Sequence, residues 1–300
     1  MSHRLVVAAP GGDRLDRWLK RQFPQAPNRE IDRLLANGLV RVDGKRAAKG
    51  TRLLAGQVIE LEAAPIFREH LAPAAETGEL EVLFEDEALL AVNKQPGMPT
   101  HPLDAGELGT VANRVARIAP ECVKASDDPR EGGAAHRLDI GTSGVLVFAR
   151  NPESHTRVRE QFRAHEVNKR YLALCRALPD RSPIELALEQ RGRRAAPSTS
   201  GQPALTEWKQ LAAKGGYHLL ECNTRTGRRH QIRAHLAAAG AAIVGNELYQ
   251  GPPGPDPLIG FFLHASRIEL SSPASGPITV EAALPSDRRL ALQGSQIDVQ

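Results

Sequence analysis

His136-Arg137-Leu138-Asp139-Ile140-Gly141-Thr142-Ser143-Gly144 runs directly into Val145-Leu146-Val147-Phe148-Ala149. The second half is apolar and rich in β-branched residues, which predicts a buried strand. The first half sets a His, an Arg and an Asp within four residues and then turns through Gly-Thr-Ser-Gly. A turn at the end of a rigid strand is where sites are usually built. Asp139 is the one carboxylate in the stretch, and Arg137 two residues earlier favours its ionised form. An ionised Asp in such a place suits nucleophilic or proton-transfer chemistry. The competing reading is a strand-end turn with a structural salt bridge.

The chain around this stretch is that of a soluble globular protein. It has 300 residues, 41% hydrophobic and 25% charged, enough for one large domain or two ordinary ones. No apolar run is long enough for a membrane span. The apolar run at the N-terminus is too short for a secretory signal. Cys122, Cys175 and Cys222 are far apart and odd in number, which argues against a disulfide framework or a cysteine zinc site. We therefore expect a cytoplasmic protein with reduced thiols. The net charge of +4 is unevenly placed. Residues 1–62 hold 12 Lys and Arg against seven Asp and Glu, a net +5, which leaves −1 for the remainder. Such asymmetry points to a basic module for an anionic partner.

That module reads as two short helices and a hairpin. Leu15, Trp18, Leu19 and Phe23 share one helical face, with Arg14, Arg17, Lys20 and Arg21 opposite. Asn28 can cap a second helix with Ile31, Leu34 and Leu35 inward and Arg29 and Arg33 outward. Gly38 is a natural stop. Residues 39–45 then read as a strand entering an Asp43-Gly44 turn, and residues 58–62 as another strand. Residues 63–79 are rich in Ala and Pro without period, which predicts a linker.

Beyond the linker, Leu80–Phe84 and Ala88–Val92 read as paired strands, followed by the turn-rich Asn93-Lys94-Gln95-Pro96-Gly97. Thr110 can cap a helix with Val111, Val115 and Ile118 inward. Pro152 opens a polar helix to about Ala164. Val167–Leu174 is a strand carrying Lys169 and Tyr171. Residues 190–204 lack apolar period and read as a long basic loop. Leu205–Leu211 and Tyr217–Cys222 form a strand pair. In Thr226-Gly227-Arg228-Arg229-His230-Gln231-Ile232-Arg233-Ala234-His235, helical spacing begins at Gln231. Cations crowd the start of that helix, where the dipole prefers anions. They make sense if an anion approaches from outside. His136, His230, His235 and His264 lack the spacing of a metal site, and no phosphate-cradling Gly loop is present. No metal is expected.

His-Arg-Leu-Asp-x-x-Thr-Ser-Gly resembles the signature of the RluA-type RNA pseudouridine synthases. Ile140 and Gly141 stand where a charged pair is common. Three further segments resemble that family's motifs in order: Asn93–Gly97, with Gln95 where Pro is common; Lys169-x-Tyr171; and Thr226–His235. The pattern continues through Gly240 and Asn246, which replaces a common Asp, to Leu263-His264-Ala265. Residues 12–62 resemble the αL-type RNA-binding domain named after the small-subunit ribosomal protein S-four.

The resemblance implies an α+β chain: an RNA-binding domain over residues 1–63, a linker over 64–79, and a catalytic domain over 80–300 with a mixed, largely antiparallel sheet flanked by helices. It implies that Asp139 is catalytic, that Tyr171 stacks on the extruded base, and that Arg233 pairs with Asp139. Asp139 is left open as nucleophile or as the base that takes a ribose proton. Arg137 would brace the vacated space, and Lys94, Lys169, Arg228, Arg229, Arg14, Arg17, Arg29 and Arg33 would meet RNA. The isomerisation has no redox or hydrolytic step, so no cofactor is expected. The expected partner is RNA: ribosomal RNA of the large subunit, with transfer RNA as the alternative, acted on by a monomer. A non-catalytic RNA-binding protein is the rival. It would not require a carboxylate that repels phosphate.

Overall fold

The computed structural model describes residues 3–8, 11–23, 26, 28–63, 72–104 and 106–297. The chain divides into two compact units, residues 1–69 and 70–300.

In the first unit, β1 (His3–Val6) is followed by α1 (Leu15–Gln22), α2 (Asn28–Ala36), β2 (Val40–Val42), β3 (Lys45–Arg46) and β4 (Val58–Leu61). The strands form a sheet in the order β1-β4-β2-β3. Leu15, Trp18 and Leu19 of α1 and Ile31, Leu34 and Leu35 of α2 are buried together against Val40, Ile59 and Leu61, as their spacing predicts. Asp43 and Gly44 both have positive φ, 49° and 76°, the primed turn that a two-residue hairpin demands. Arg14 lies just before α1 rather than within it and grips Asp16 with two hydrogen bonds of 3.1 Å. Arg17 is exposed, and Arg33 is held by Glu30 at 2.7 and 2.8 Å. The side chain of Arg29, and that of Asn28 read as a cap, lie outside the described residues. β1 escaped the sequence reading because its four residues have no partner nearby in sequence; they pair with β4, more than fifty residues on.

In the second unit, β5 (Glu81–Glu85) and β6 (Leu89–Lys94) lead to α3 (Val111–Ile118), β7 (Ser143–Ala149), α4 (Pro152–Arg163) and β8 (Asn168–Cys175). Then come β9 (Ile184–Glu185), β10 (Leu188–Arg191), β11 (Arg194–Pro197), β12 (Leu205–Lys214), β13 (Tyr217–Thr224), α5 (Gln231–Ala238), β14 (Leu263–Ser272), β15 (Gly276–Glu281) and α6 (Ser286–Gly294). The large sheet runs β5-β6-β7-β14-β8-β13-β12-β9, with β15 on the outer half of β14. Every pairing is antiparallel except one: the start of β14 runs parallel to the start of β7, His264 beside Ser143 and Ala265 beside Gly144. Asp139 lies just before that seam.

β7 is buried on both faces. Val145, Val147 and Ala149 join the core under α4, and Leu146 and Phe148 join the core under α3. Period-two alternation thus puts a continuous apolar run into two cores at once. Burying each Val, Leu and Phe of this run contributes about 1.5–3 kcal/mol. That anchors the turn in front of it. Gly144 is required there: its φ is +112°, and a Cβ would lie 2.1 Å from the Ala265 carbonyl oxygen.

Several expectations need correction. Residues 190–204 are not a loop throughout: β10 and β11 form a hairpin within them, and Ala195 and Ala204 are buried with Ala234 of α5. Short strands without apolar alternation hid it. Ile118 is 47% exposed rather than inward, although the Thr110 cap forms, with Asn113 in a capping box. Of the stretch 64–79 read as a linker, residues 64–71 lie outside the described residues. Residues 72–79 are tied to α3, with Asn113 Nδ2 donating to the Ala74 oxygen (2.8 Å) and Arg114 Nη1 to the Glu79 oxygen (2.6 Å). α6 went unread.

Candidate active site

A cleft of about 560 Å³ opens on the second unit where the turn before β7 meets β8, β13, α4, α5 and the start of β14. Asp139, Arg137, Lys169, Tyr171, Arg228 and Arg233 all line it. They come from three separate segments, which the fold brings together.

Arg233 Nη1 donates to Asp139 Oδ2 at 2.7 Å. The guanidinium side chain is 7% exposed and the carboxylate 24%. Arg233 is fixed by more than this pair. Its Nη2 donates to Asn246 Oδ1 at 3.0 Å, and its head lies over the rings of Phe261 (4.2 Å) and Tyr249 (5.3 Å). Cation–π contact on both rings suits a weakly hydrated planar cation. Gly141 is small because Phe261 sits against it; a Cβ there would meet the ring at 2.6 Å. That is the role of one of the two variable places in the Asp139 motif.

His230 enters α5 with a positive φ of 53°. Tyr249 donates its hydroxyl proton to the Ala195 oxygen (3.0 Å), so it accepts from His230 Nδ1 at 3.1 Å. His230 Nε2 then faces Asp139 Oδ1 at 3.8 Å without a proton. Burial, reinforced by Arg233, Arg229 and Arg137 and only partly opposed by Asp139, holds this imidazole down to about 4. It is neutral at working pH. His136 is neutral too, pushed to about 3 by burial, then by Lys169 and Arg159. Its Nε2 accepts from the Val147 N–H at 3.2 Å, leaving the proton on Nδ1.

Tyr171 is half-buried on β8, and burial, then the charge of Asp139, pushes its phenol up, so it stays a neutral ring. Lys169 lies at the cleft floor, donating to the Thr226 oxygen at 2.9 Å; burial, then Arg228, brings it down to about 8. Gln231 knots the Thr226–Arg228 turn by accepting from Thr226 Oγ1 and Arg228 N and donating to Thr224 Oγ1. Arg228 reaches both the cleft and a neighbouring groove of about 260 Å³ beside the β10–β11 hairpin. Arg229 lines only that groove.

Lys94 corrects an expectation. It is fully buried and donates to the carbonyl oxygens of Gln95, Ile140 and Thr142 at 3.0, 3.0 and 2.6 Å. No RNA can touch it. His264 is likewise structural: it is fully buried, its Nε2 donates to the Ala282 oxygen and its Nδ1 accepts from Ser143. Sequence reasoning missed His230, Tyr249 and Phe261 as site residues and gave Asn246 no role. The motif segments containing His230 and Asn246, and the motif that begins two residues after Phe261, were the available signal.

Arg137, Arg159, Arg163, Lys169 and Arg228 line the cleft and have no carboxylate partner among the described residues. Among those residues no three His, Cys, Asp or Glu converge as a metal-ligand set, and no helix is long and apolar enough to cross a membrane. The cleft thus holds an arginine-bound carboxylate, Asp139, among cations without a carboxylate partner, an arrangement suited to an anionic substrate. The comparisons name the kind. Residues 88–238 match the model of the RNA pseudouridylate synthase family, and residues 13–59 match that of the S4 domain. The chain belongs to the RNA pseudouridylate synthase family, which isomerises uridine in RNA to pseudouridine. A ribosomal large subunit pseudouridine synthase D of Xanthomonas campestris pv. campestris is 32% identical, the match covering 94% of this chain and 89% of that protein. An uncharacterized RNA pseudouridine synthase of Chloroflexus aurantiacus is 33% identical, covering 98% and 94%. Among solved structures, human RNA pseudouridylate synthase domain containing 4 aligns with a TM-score of 0.58 at 23% identity, over 73% of this chain and 94% of that one, a likeness of fold.

Proposed function

We propose that this chain converts uridine to pseudouridine in large-subunit ribosomal RNA, with Asp139 as the residue that acts on the ribose. Relatives named for that RNA match over nearly their whole length. The basic first unit, with Arg17 exposed, fits a structured RNA. That substrate puts the work in the cytoplasm, and Cys122, Cys175 and Cys222 are free thiols, as that compartment favours.

The observation that carries the mechanism is the Arg233–Asp139 pair at 2.7 Å in a cleft that Tyr171 also lines. A base inside a helix cannot rotate, so the target uridine must leave its stack. Tyr171 offers an uncharged ring for the extruded base. Asp139 then acts on the ribose, by attack or by taking a proton, while the glycosidic bond breaks, the base turns and carbon 5 rejoins. Arg233 holds the carboxylate in place and aims it. Neutral His230 and His136 add no competing charge. Arg137, exposed at the cleft rim, braces the space the base vacates, and Lys169 and Arg228 hold phosphate.

Asp139→Asn tests this. We expect wild-type melting and RNA affinity within a few-fold, and no pseudouridine detected by mass spectrometry of ribosomal RNA. Turnover within tenfold of wild type would remove Asp139 from the mechanism.

A further inference from the structure

The turn that carries Asp139 faces the cleft with its side chain and the core with its backbone. The carbonyl oxygens of Ile140, Gly141 and Thr142 all point to buried cations. Lys94 Nζ takes Ile140 and Thr142 together with Gln95. Arg288 Nη2 takes Gly141 at 2.6 Å and Phe261 at 3.0 Å. Both side chains are fully buried. Asp287 answers Arg288 at 2.7 Å, but among the described residues no carboxylate lies within hydrogen-bond distance of Lys94.

Buried carbonyls need donors, but neutral ones would serve. An ammonium without a carboxylate beside it is an expensive way to tie a loop, because a buried charge costs several kcal/mol when unpaired. Three carbonyl acceptors match the three N–H bonds of an ammonium and exceed the two of a neutral amine. The anion that favours the charged form of Lys94 is Asp139 itself. The arrangement therefore joins a mechanical tie to an electrostatic one.

We propose that Lys94 and Arg288 form a buried cationic clamp that sets the position of the Asp139 carboxylate, which makes both of them positioning residues for the isomerisation. This rests on the reading of Asp139 given above. The clamp draws together the end of β6, where Lys94 pairs with Gly144, the start of α6, and Phe261 ahead of β14. Phe261 is also the ring on which Arg233 lies. Releasing the turn therefore disturbs the carboxylate and its arginine together. Burial, then the charge of Arg288, brings Lys94 down to about 7 against the opposing pull of Asp139. As pH rises past that value the ammonium loses a proton, and two N–H bonds remain for three carbonyls.

The test uses the full chain with wild type, Lys94→Met and the neutral-donor variant Lys94→Gln. Single-turnover rates at saturating RNA should fall about 100-fold in Lys94→Met, the loss expected for an ångström of misplacement. RNA affinity should stay within threefold. The wild-type rate should fall from pH 7 to 9, and that limb should be absent in Lys94→Gln. Independently of activity, hydrogen exchange at the Thr142 amide, which donates to the Asp139 backbone carbonyl at 3.0 Å, should quicken about tenfold in Lys94→Met while β13 amides stay unchanged. Unchanged Thr142 protection, or a Lys94→Met rate within threefold of wild type, overturns the clamp. If the substituted chains do not fold, a wild-type rate flat from pH 6 to 9 overturns it. Wild-type protein that modifies no RNA refutes the proposed function instead, and the exchange measurement still decides the clamp.

Discussion

Arg233→Ala should cost about a hundredfold in turnover and little in RNA affinity. The magnitude follows from where the two charges lie. Removing one partner of a fully buried ion pair costs about 3–5 kcal/mol, because the other charge is left without compensation. Here Arg233 is 7% exposed and Asp139 24%. Water already reaches the carboxylate and offsets part of the loss, so about 2–3 kcal/mol remains. At about 1.4 kcal/mol per tenfold change, that is roughly 30- to 150-fold in rate. The Asn246 bond and the contacts with Phe261 and Tyr249 disappear with the guanidinium, so the carboxylate loses its aim as well as its counter-charge. Arg233→Lys should recover only part of the rate. It restores the charge, but not a planar fork that reaches Asp139 through one nitrogen and Asn246 through another. The assay is single-turnover pseudouridine formation at saturating RNA, with affinity measured at two salt concentrations. If Arg233→Ala lost only salt-dependent affinity and saturating RNA restored the full rate, Arg233 would be a phosphate ligand and the argument would fail.

Tyr171→Ala should weaken RNA binding by about 1–3 kcal/mol, the usual worth of a base–aromatic stack, while Tyr171→Phe keeps it; equal affinity for a folded Ala variant and wild type would return Tyr171 to the core. Arg228→Ala should flatten the dependence of log affinity on log salt by about one phosphate contact, with the rate at saturation intact; an unchanged slope would count against phosphate contact. Lys169 is held down to about 8, so it is charged at pH 7 and loses its proton as pH rises through that value. RNA affinity should fall from pH 7 to 9 in wild type and stay flat in Lys169→Met; parallel profiles would show that its charge does not serve binding.

The parts of this structure that were legible in sequence are those set by local pattern. Leu15, Trp18 and Leu19 announce α1 by spacing, and the run after Gly144 announces β7 by composition. Asp43-Gly44 announces its turn because few residues accept two successive positive φ values. What stayed hidden depends on distant partners. β1 is a strand because β4 is there to pair with it. The β10–β11 hairpin has no apolar rhythm of its own and is pinned by Tyr249, whose hydroxyl bonds both the N–H and the oxygen of Ala195. In the site, Asp139, Tyr171 and Arg233 were readable because they sit in motifs. His230, Asn246 and Tyr249 act through Arg233 or beside it, and such a role exists only once Arg233 has been placed.

Lys94 is the instructive failure. A lysine in a loop of Gln, Pro and Gly reads as solvent-facing, and in a protein that binds RNA it reads as a phosphate contact. Its neighbours in sequence carry no information about the turn 46 residues later whose carbonyls it holds. The same kind of charge performs three tasks within this unit, and only surroundings separate them. Arg228 has no carboxylate and reaches open clefts, so its charge is available to an incoming anion. Arg233 faces a carboxylate and two rings, so its charge is spent on orientation. Lys94 faces three carbonyls in the dry interior, so its charge acts on the backbone that carries Asp139. An enzyme that must draw in a polyanion yet keep one carboxylate paired with its arginine faces a conflict, because RNA competes for every cation it can reach. Burying Lys94 under the turn, and holding Arg233 between Asp139, Asn246 and two aromatic rings while Arg137 and Arg228 have no carboxylate among the described residues, resolves it by geometry. The carboxylate then keeps its partners while phosphate comes and goes.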